Sequence, residues 1–247
     1  MNNINIDEYN KEYLKKYLPS EKYEEGLLRL KNGEPVQYIV GSVNFYGLEI
    51  DIDKRVLIPR FDTEQLVEIV TKLINEKFNG NASIIDLGTG SGCIALSLKN
   101  NLPLSSVTGV DISLDALDVA NHNKEKLNID VNFVHSDMLD NINDKYDVII
   151  SNPPYLSKEN SYVEDIVNNN EPSIALYADN NGLYYYEKIL STCSKNLKDK
   201  YIIAFEMDEH EGEMIKSLAL KYLGDSIDVD IVKAYNGCDR FAIIKNI

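Results

Sequence analysis

Beyond Asn81 the chain alternates short apolar runs with helical stretches, and that alternation limits what it can fold into. The runs lie near residues 83–87, 107–111, 131–135, 146–151, 201–206, 228–233 and 240–244. Helical patterns lie between them, opening at Cys93 and spanning 113–127, 183–197 and 211–223. Repeated strand–helix units of this kind predict a mostly parallel sheet covered on both faces. In open α/β sheets, ligands bind at the carboxyl ends of the strands. Two of those ends carry distinctive residues.

The run Tyr146–Ser151 leads into Asn152-Pro153-Pro154-Tyr155. Two consecutive prolines remove two backbone N–H donors and hold φ near −65°. The surrounding carbonyls and the Asn152 side-chain oxygen then offer acceptors to a planar NH2 group, with Tyr155 as an aromatic face. An amide or an exocyclic amine would suit such a pocket. An ordinary turn is the competing reading, because Asn-Pro and Pro-Pro also punctuate loops.

The run Ser83–Leu87 leads into Gly88-Thr89-Gly90-Ser91-Gly92 and a helix. Glycines let backbone approach a ligand closely, and a helix N-terminus presents free N–H groups. The spacing is Gly-x-Gly-x-Gly, with Cys93 where a dinucleotide fingerprint wants Gly or Ala, which weakens a nicotinamide or flavin reading. Asp111 ends the next strand 23 residues after Gly88, where a carboxylate can accept from ribose hydroxyls. It also stands where a helix N-cap would. Asp137 and Met138 follow the third strand, the acid placed to accept from an adenine amino group and the thioether to pack on its ring. A loop Asp without a ligand is an equal alternative.

Composition narrows the partners. The chain has 247 residues and a net charge of −15, and only four of its 25 cationic residues are arginine. Nucleic-acid binding draws affinity from neutralised phosphates, and no basic run supplies that here. An acidic enzyme is steered instead toward a basic protein. No apolar run approaches ~18 residues, and the polar N-terminus is unlike a signal peptide. Cys93, Cys193 and Cys238 are isolated, and His122, His135 and His210 show no metal-ligand spacing. Reduced thiols and no metal are therefore expected.

Upstream, Ile6–Leu18 and Glu21–Asn32 read as short helices separated by Pro19-Ser20. Alternation through Tyr38, Val40, Phe45, Leu48, Ile50 and Ile52 reads as a hairpin. Asp62 is placed to cap the next helix.

Together these segments resemble the release factor glutamine methyltransferase family, S-adenosylmethionine-dependent enzymes with an Asn-Pro-Pro-Tyr motif. Gln37–Gly41 with Phe45–Leu48, Val56–Glu64, Glu171–Leu176, Asn181–Leu183 and Gly237–Arg240 match that family's pattern. Phe61 departs from it, standing where the family usually has proline. Glu206–His210 departs too, and the N-terminal helical region is short.

The resemblance implies a Rossmann-like class I methyltransferase fold with a seven-stranded, mostly parallel sheet whose last strand is antiparallel. It implies a short helical region at 1–36, a hairpin linker at 37–58 and a methyltransferase domain at 59–247. S-adenosylmethionine is expected across Gly88, Thr89, Gly90, Ser91, Gly92, Asp111, Asp137, Met138 and Asn152, with Arg60 and Thr63 near its methionine end. Catalysis is expected at Asn152, Pro153, Pro154 and Tyr155, acting on the glutamine of the Gly-Gly-Gln loop of peptide-chain release factors. A cytoplasmic monomer, free of nucleic acid and membrane, is expected. Another protein glutamine, a nucleic-acid amine, and a non-catalytic cofactor-binding module stay open as alternatives.

Overall fold

The computed structural model describes residues 8–157 and 164–247. Three helices come first, α1 (Glu8–Tyr17), α2 (Tyr23–Lys31) and α3 (Val36–Val40). They close over a small core of Leu14, Leu30, Val36 and Ile39. The Ile6 start expected for α1 lies outside the described residues. A hairpin follows, β1 (Ser42–Phe45) and β2 (Leu48–Asp51).

The expected first arm of that hairpin, from Tyr38 to Val40, is instead the end of α3. Val36 and Ile39 are three residues apart and face the α1–α2 core together. Tyr38 points the other way, its hydroxyl donating to the Val56 carbonyl at 2.6 Å. Gly41 ends the helix at φ 85°, a left-handed conformation that favours glycine.

The long helix α4 (Phe61–Phe78) is capped by Arg60, and no side chain makes the capping bond. Asp62, the expected cap, sits one residue inside the helix. It accepts from Gln65 Nε2 at 3.3 Å and lies 3.4 Å from the Arg240 guanidinium.

The strand–helix series then runs β3 (Ser83–Leu87), α5 (Cys93–Asn101), β4 (Ser106–Asp111), α6 (Leu114–Leu127), β5 (Asn132–His135), β6 (Tyr146–Ser151), α7 (Asp165–Asn170) and α8 (Tyr184–Thr192). It ends with β7 (Leu197–Glu206), α9 (Gly212–Leu223), β8 (Asp228–Lys233) and β9 (Asp239–Asn246). The helix expected to reach 197 stops at Thr192, continuing as a 3₁₀ turn, Cys193–Asn196. Asn196 is fully buried there and donates to the Ile142 and Asp144 carbonyls at 3.0 and 2.9 Å.

The sheet has seven strands in the order β5-β4-β3-β6-β7-β9-β8. All neighbours are parallel except where β9 runs against β7 and β8, as expected. Central strands bury both faces, so their sequences are nearly continuous apolar runs. On β3, Ile84 faces one core with α4, α5 and α6, and Ile85 faces the other with α8 and α9. Val148 and Ile149 on β6 divide the same way. The chain moves outward from β3 through β4 to β5, then returns to place β6 on β3's other side. This reversal leaves a crevice at the carboxyl ends of β3 and β6.

Asn123 on α6 ties the hairpin to that crevice. Fully buried, its amide accepts from the Asp51 N–H at 2.8 Å and donates to the Asp51 carbonyl at 2.9 Å and the Ser91 carbonyl at 3.0 Å. The hairpin and the glycine loop therefore share one side chain. Asn123→Ala would strand three backbone groups, and a buried unsatisfied group costs about 1–3 kcal/mol. Urea unfolding should show a loss of at least that size; a midpoint unchanged from wild type would remove Asn123 from this role.

Candidate active site

The glycine loop is shaped by backbone conformation. Gly88, Gly90 and Gly92 take φ of 71°, 55° and 80°, and Cβ atoms at Gly88 and Gly90 would meet only open space. Those two positions therefore leave backbone that a ligand can approach. Below them Thr89 is buried, donating its hydroxyl to Asp86 Oδ2 at 2.6 Å and its N–H to the Val110 carbonyl at 2.8 Å. Burial pushes the Asp86 carboxyl up to about 7. The loop is thus fastened to its own strand and to β4.

Asp111 fastens it a second time. Its carboxylate accepts from the Gly90 N–H and the Ser113 N–H, both at 2.9 Å. Two such bonds still leave lone pairs on the carboxylate for a ligand hydroxyl. Burial raises the Asp111 carboxyl above its ordinary range, and the N–H bonds from Ser113 and Gly90 oppose the rise. Ser113 also caps α6, accepting from Ala116 N–H. The capping role in this segment thus falls to Ser113 rather than Asp111.

A cleft open to solvent lies over this loop. Gly88, Gly90, Asp111, Asp137, Met138 and Asn152 all line it. Apolar surface comes from Ile112, Ala116 and Met138, and Tyr185 adds an aromatic wall. Asp137 is engaged by Lys188 at 2.7 Å. Thr89, Ser91 and Gly92 are not in the lining, and Thr89 and Ser91 support the loop from beneath, both buried.

A second cavity adjoins the first and shares Asn152 with it. Arg60, Asn152, Pro153, Tyr155 and Glu206 line it. Arg60 reaches Glu171 at 2.6 Å, and the same carboxylate accepts from the Ile58 N–H at 3.1 Å. This ion pair closes the segment after α7 onto the segment before α4. Thr63, expected beside Arg60, lines neither cavity. It is buried behind Asn152, whose Nδ2 donates to the Thr63 hydroxyl at 3.1 Å. Thr63 in turn donates to Glu206 Oε2 at 2.7 Å, and the Tyr155 hydroxyl reaches Glu206 Oε1 at 3.3 Å.

The turn after Asn152 is held from below by Gly182. At φ 93°, a Cβ there would overlap the Tyr155 carbonyl and the Glu211 carboxylate. The Asn181-Gly182 pair is thus explained by close approach of two backbone segments.

Comparison with known proteins gives this geometry a family. The methyltransferase small domain matches residues 57–172. The release factor glutamine methyltransferase of Streptococcus pneumoniae is 41% identical, over 85% of this chain and 75% of that protein. The chain belongs to the release factor glutamine methyltransferase family. The Bacillus subtilis member is 39% identical over the same shares, 85% and 75%. A solved methyltransferase from Pyrococcus furiosus shares the fold at 18% identity, with a TM-score of 0.61 over 90% of this chain and 98% of that one. The chain is accordingly an enzyme, a methyltransferase.

Within this family site, sequence reading missed four residues. Asn123, Glu171 and Glu206 act through partners far away along the chain, and Tyr185 carries no motif. Two of them had a signal: Glu206 as an acid ending an apolar strand, Tyr201–Phe205, and Glu171 as the first residue of a segment that matches the family pattern.

Glu206 is 2% exposed, and burial pushes its carboxyl from 4.5 up to about 7. The folded chain therefore holds that proton more tightly than the unfolded chain does. The stability this lends is complete below about 4.5 and is lost as pH rises through about 7. Glu206→Gln keeps the shape and stays neutral. It should gain stability over wild type as pH climbs through that window, with a constant difference below it. Thermal unfolding across pH checks this; parallel curves for the two proteins would contradict a buried, titrating Glu206.

Proposed function

We propose that this chain transfers a methyl group from S-adenosylmethionine to the side-chain amide of the glutamine in the Gly-Gly-Gln loop of peptide-chain release factors. The observation that carries this reading is Asn152. It lines both cavities, so a group bound in one can meet a group bound in the other across its side chain. Family membership supports the substrate, since the relatives are named for glutamine methylation of release factors.

The cleft over the glycine loop suits the cofactor. Open backbone at Gly88 and Gly90 accommodates a close ligand, and Asp111 offers a carboxylate to ribose hydroxyls. Met138 and Ile112 supply apolar surface for a base, with Asp137 at its rim. When bound, S-adenosylmethionine supplies an electrophilic methyl on a sulfonium. Thr89, Ser91 and Gly92 belong to this reading as support for the loop. Arg60 is assigned to the substrate side, where it lines the second cavity.

An amide nitrogen is a poor nucleophile because its lone pair is delocalised into the carbonyl. Asn152 Oδ1 and the Pro153 carbonyl would accept the two substrate N–H bonds and orient that lone pair. Well-oriented encounters are worth roughly 7–11 kcal/mol over a bimolecular reference, so a strong base is unnecessary. As positive charge grows on nitrogen, the same acceptors bind it more tightly. Pro154 keeps the turn rigid, and Tyr155 gives the flat amide an aromatic wall.

The −15 charge favours a basic protein partner over nucleic acid. We assign residues 1–36 to a short helical region, 37–58 to a linker and 59–247 to the methyltransferase domain of a cytoplasmic monomer. Among the described residues, no helix is long and apolar enough to cross a membrane.

Incubation with methyl-labelled S-adenosylmethionine and a purified release factor, followed by mass mapping, should place the label on the Gly-Gly-Gln glutamine. Label on another protein glutamine or on RNA would redirect the substrate assignment. Asn152→Ala should lower single-turnover methyl transfer by about 10²–10³, with cofactor affinity changed far less; near-wild-type turnover would overturn the amide-holding role. Asp111→Ala should weaken cofactor binding by about 1.5–3 kcal/mol, as for other hydrogen bonds to a charged group. Calorimetry showing equal affinity would remove Asp111 from the site.

A further inference from the structure

Glu206 raises a question the binding of cofactor and amide does not answer. Burying a carboxylate is costly, and here it stands behind the residue assigned to hold the substrate. Its bonds form a directed chain. Asn152 Nδ2 gives to Thr63 Oγ1 at 3.1 Å, and Thr63 gives to Glu206 Oε2 at 2.7 Å. An ionised carboxylate only accepts, and a threonine hydroxyl has a single proton to give.

We propose that Glu206 and Thr63 are positioning residues: the ionised carboxylate sets the direction of this buried chain, and the chain turns the Asn152 amide so that Oδ1 faces the substrate nitrogen. This rests on the reading that Asn152 holds the substrate amide. With the Thr63 proton committed to Glu206, its oxygen can only accept from Asn152. The reversed Asn152 amide would set Oδ1 against Thr63 Oγ1 with no proton between them. It would also aim an NH2 group at the substrate NH2, donor against donor. Thr63, which lines neither cavity, and Glu206, which lines the second, would thus decide whether the site presents an acceptor.

The direction depends on charge. A protonated Glu206 can donate to Thr63, and the Thr63 proton is then free to go to Asn152 instead. Several groups face this carboxyl. Arg240 on β9 favours its ionised form, and Asp62 on α4 opposes it. Tyr155 bonds it directly, Tyr186 on α8 donates to the Glu206 main-chain carbonyl at 2.8 Å, and the buried Cys93 thiol on α5 is raised to about 12. Arg60 lines the same cavity. Burial outweighs these contacts and raises the carboxyl to about 7. Ionisation, and with it chain direction, therefore changes close to neutral pH.

The test is single-turnover methyl transfer by the full chain, with saturating S-adenosylmethionine and a release factor. Thr63→Val should lose about tenfold or more in rate with cofactor affinity nearly unchanged, and Thr63→Ser, which keeps the hydroxyl, should recover most of it. The wild-type rate should climb about tenfold between roughly pH 6 and pH 8, as a group titrating near 7 passes from about one-tenth to nine-tenths ionised. In Glu206→Gln that climb should shrink to less than about threefold. Wild-type turnover in Thr63→Val, or an undiminished climb in Glu206→Gln, would overturn the relay if Asn152→Ala is inactive. A fully active Asn152→Ala would remove the amide-holding reading itself, and the relay with it. If Thr63→Val does not fold, Thr63→Ser and the Glu206→Gln profile still decide the matter.

Discussion

The pairing of β3 with β6 is the contact on which the site depends. Leu87 is in register with Ser151, and the Ser151 hydroxyl donates across to the Leu87 carbonyl at 2.6 Å. The next residue on each strand is Gly88 on one side and Asn152 on the other. Two segments more than sixty residues apart are therefore brought side by side by one ladder, at the place where strand order reverses. A slip of one residue would exchange Val148 and Ile149 between the two cores, so hydrophobic burial enforces the register. Site geometry here is a by-product of core packing.

Local features were legible in the sequence. The β3 and β6 runs, the glycine loop and Asn152–Tyr155 each carry their signal within ten residues or so, and each formed where expected. Tyr38 misled, because its two-residue alternation competed with a three-residue spacing of Val36 and Ile39, and packing against α1 and α2 decided the outcome. Asp62 misled for a similar reason: its side chain found Gln65 and Arg240, leaving the start of α4 without a side-chain cap. What had no signature was partnership at distance. Thr63 and Glu206 are 143 residues apart, and Arg60 and Glu171 are 111 apart. Motif resemblance placed Thr63 near the methionine end of the cofactor, and nothing in the sequence signalled that its hydroxyl turns inward to a buried acid.

Of the buried carboxylates around the site, Glu171, Asp86 and Glu206 each do a different job. Glu171 joins Arg60 and the Ile58 N–H, so its charge is met by a guanidinium and a backbone dipole. Asp86 holds the glycine loop through Thr89. Among the described residues, Glu206 meets hydroxyls directly, from Thr63 and Tyr155, with Arg240 near enough to favour its charge. Burial without a close cation is why its carboxyl rises so far. An apolar or amide residue there would make a more stable protein above neutral pH. Retaining an acid gives up that stability, as functional sites often do.

Where that stability goes can be followed through the fold. The acid sits at the last residue of β7, the strand beside β6, and so stands next to the turn that β6 feeds. Its two hydroxyl partners belong to α4 and to the turn itself. The Glu206 main-chain carbonyl is held in addition by Tyr186 from α8, a fully buried ring stacked edge-on against Phe205. Helices from both faces of the sheet therefore converge on one residue. A carboxylate held this firmly cannot relax away from its neighbours when it ionises. The change in charge is answered by the hydrogens around it, which among the described residues are the hydroxyl protons of Thr63 and Tyr155. Rigidity of the core is what allows one proton at Glu206 to be felt at Asn152.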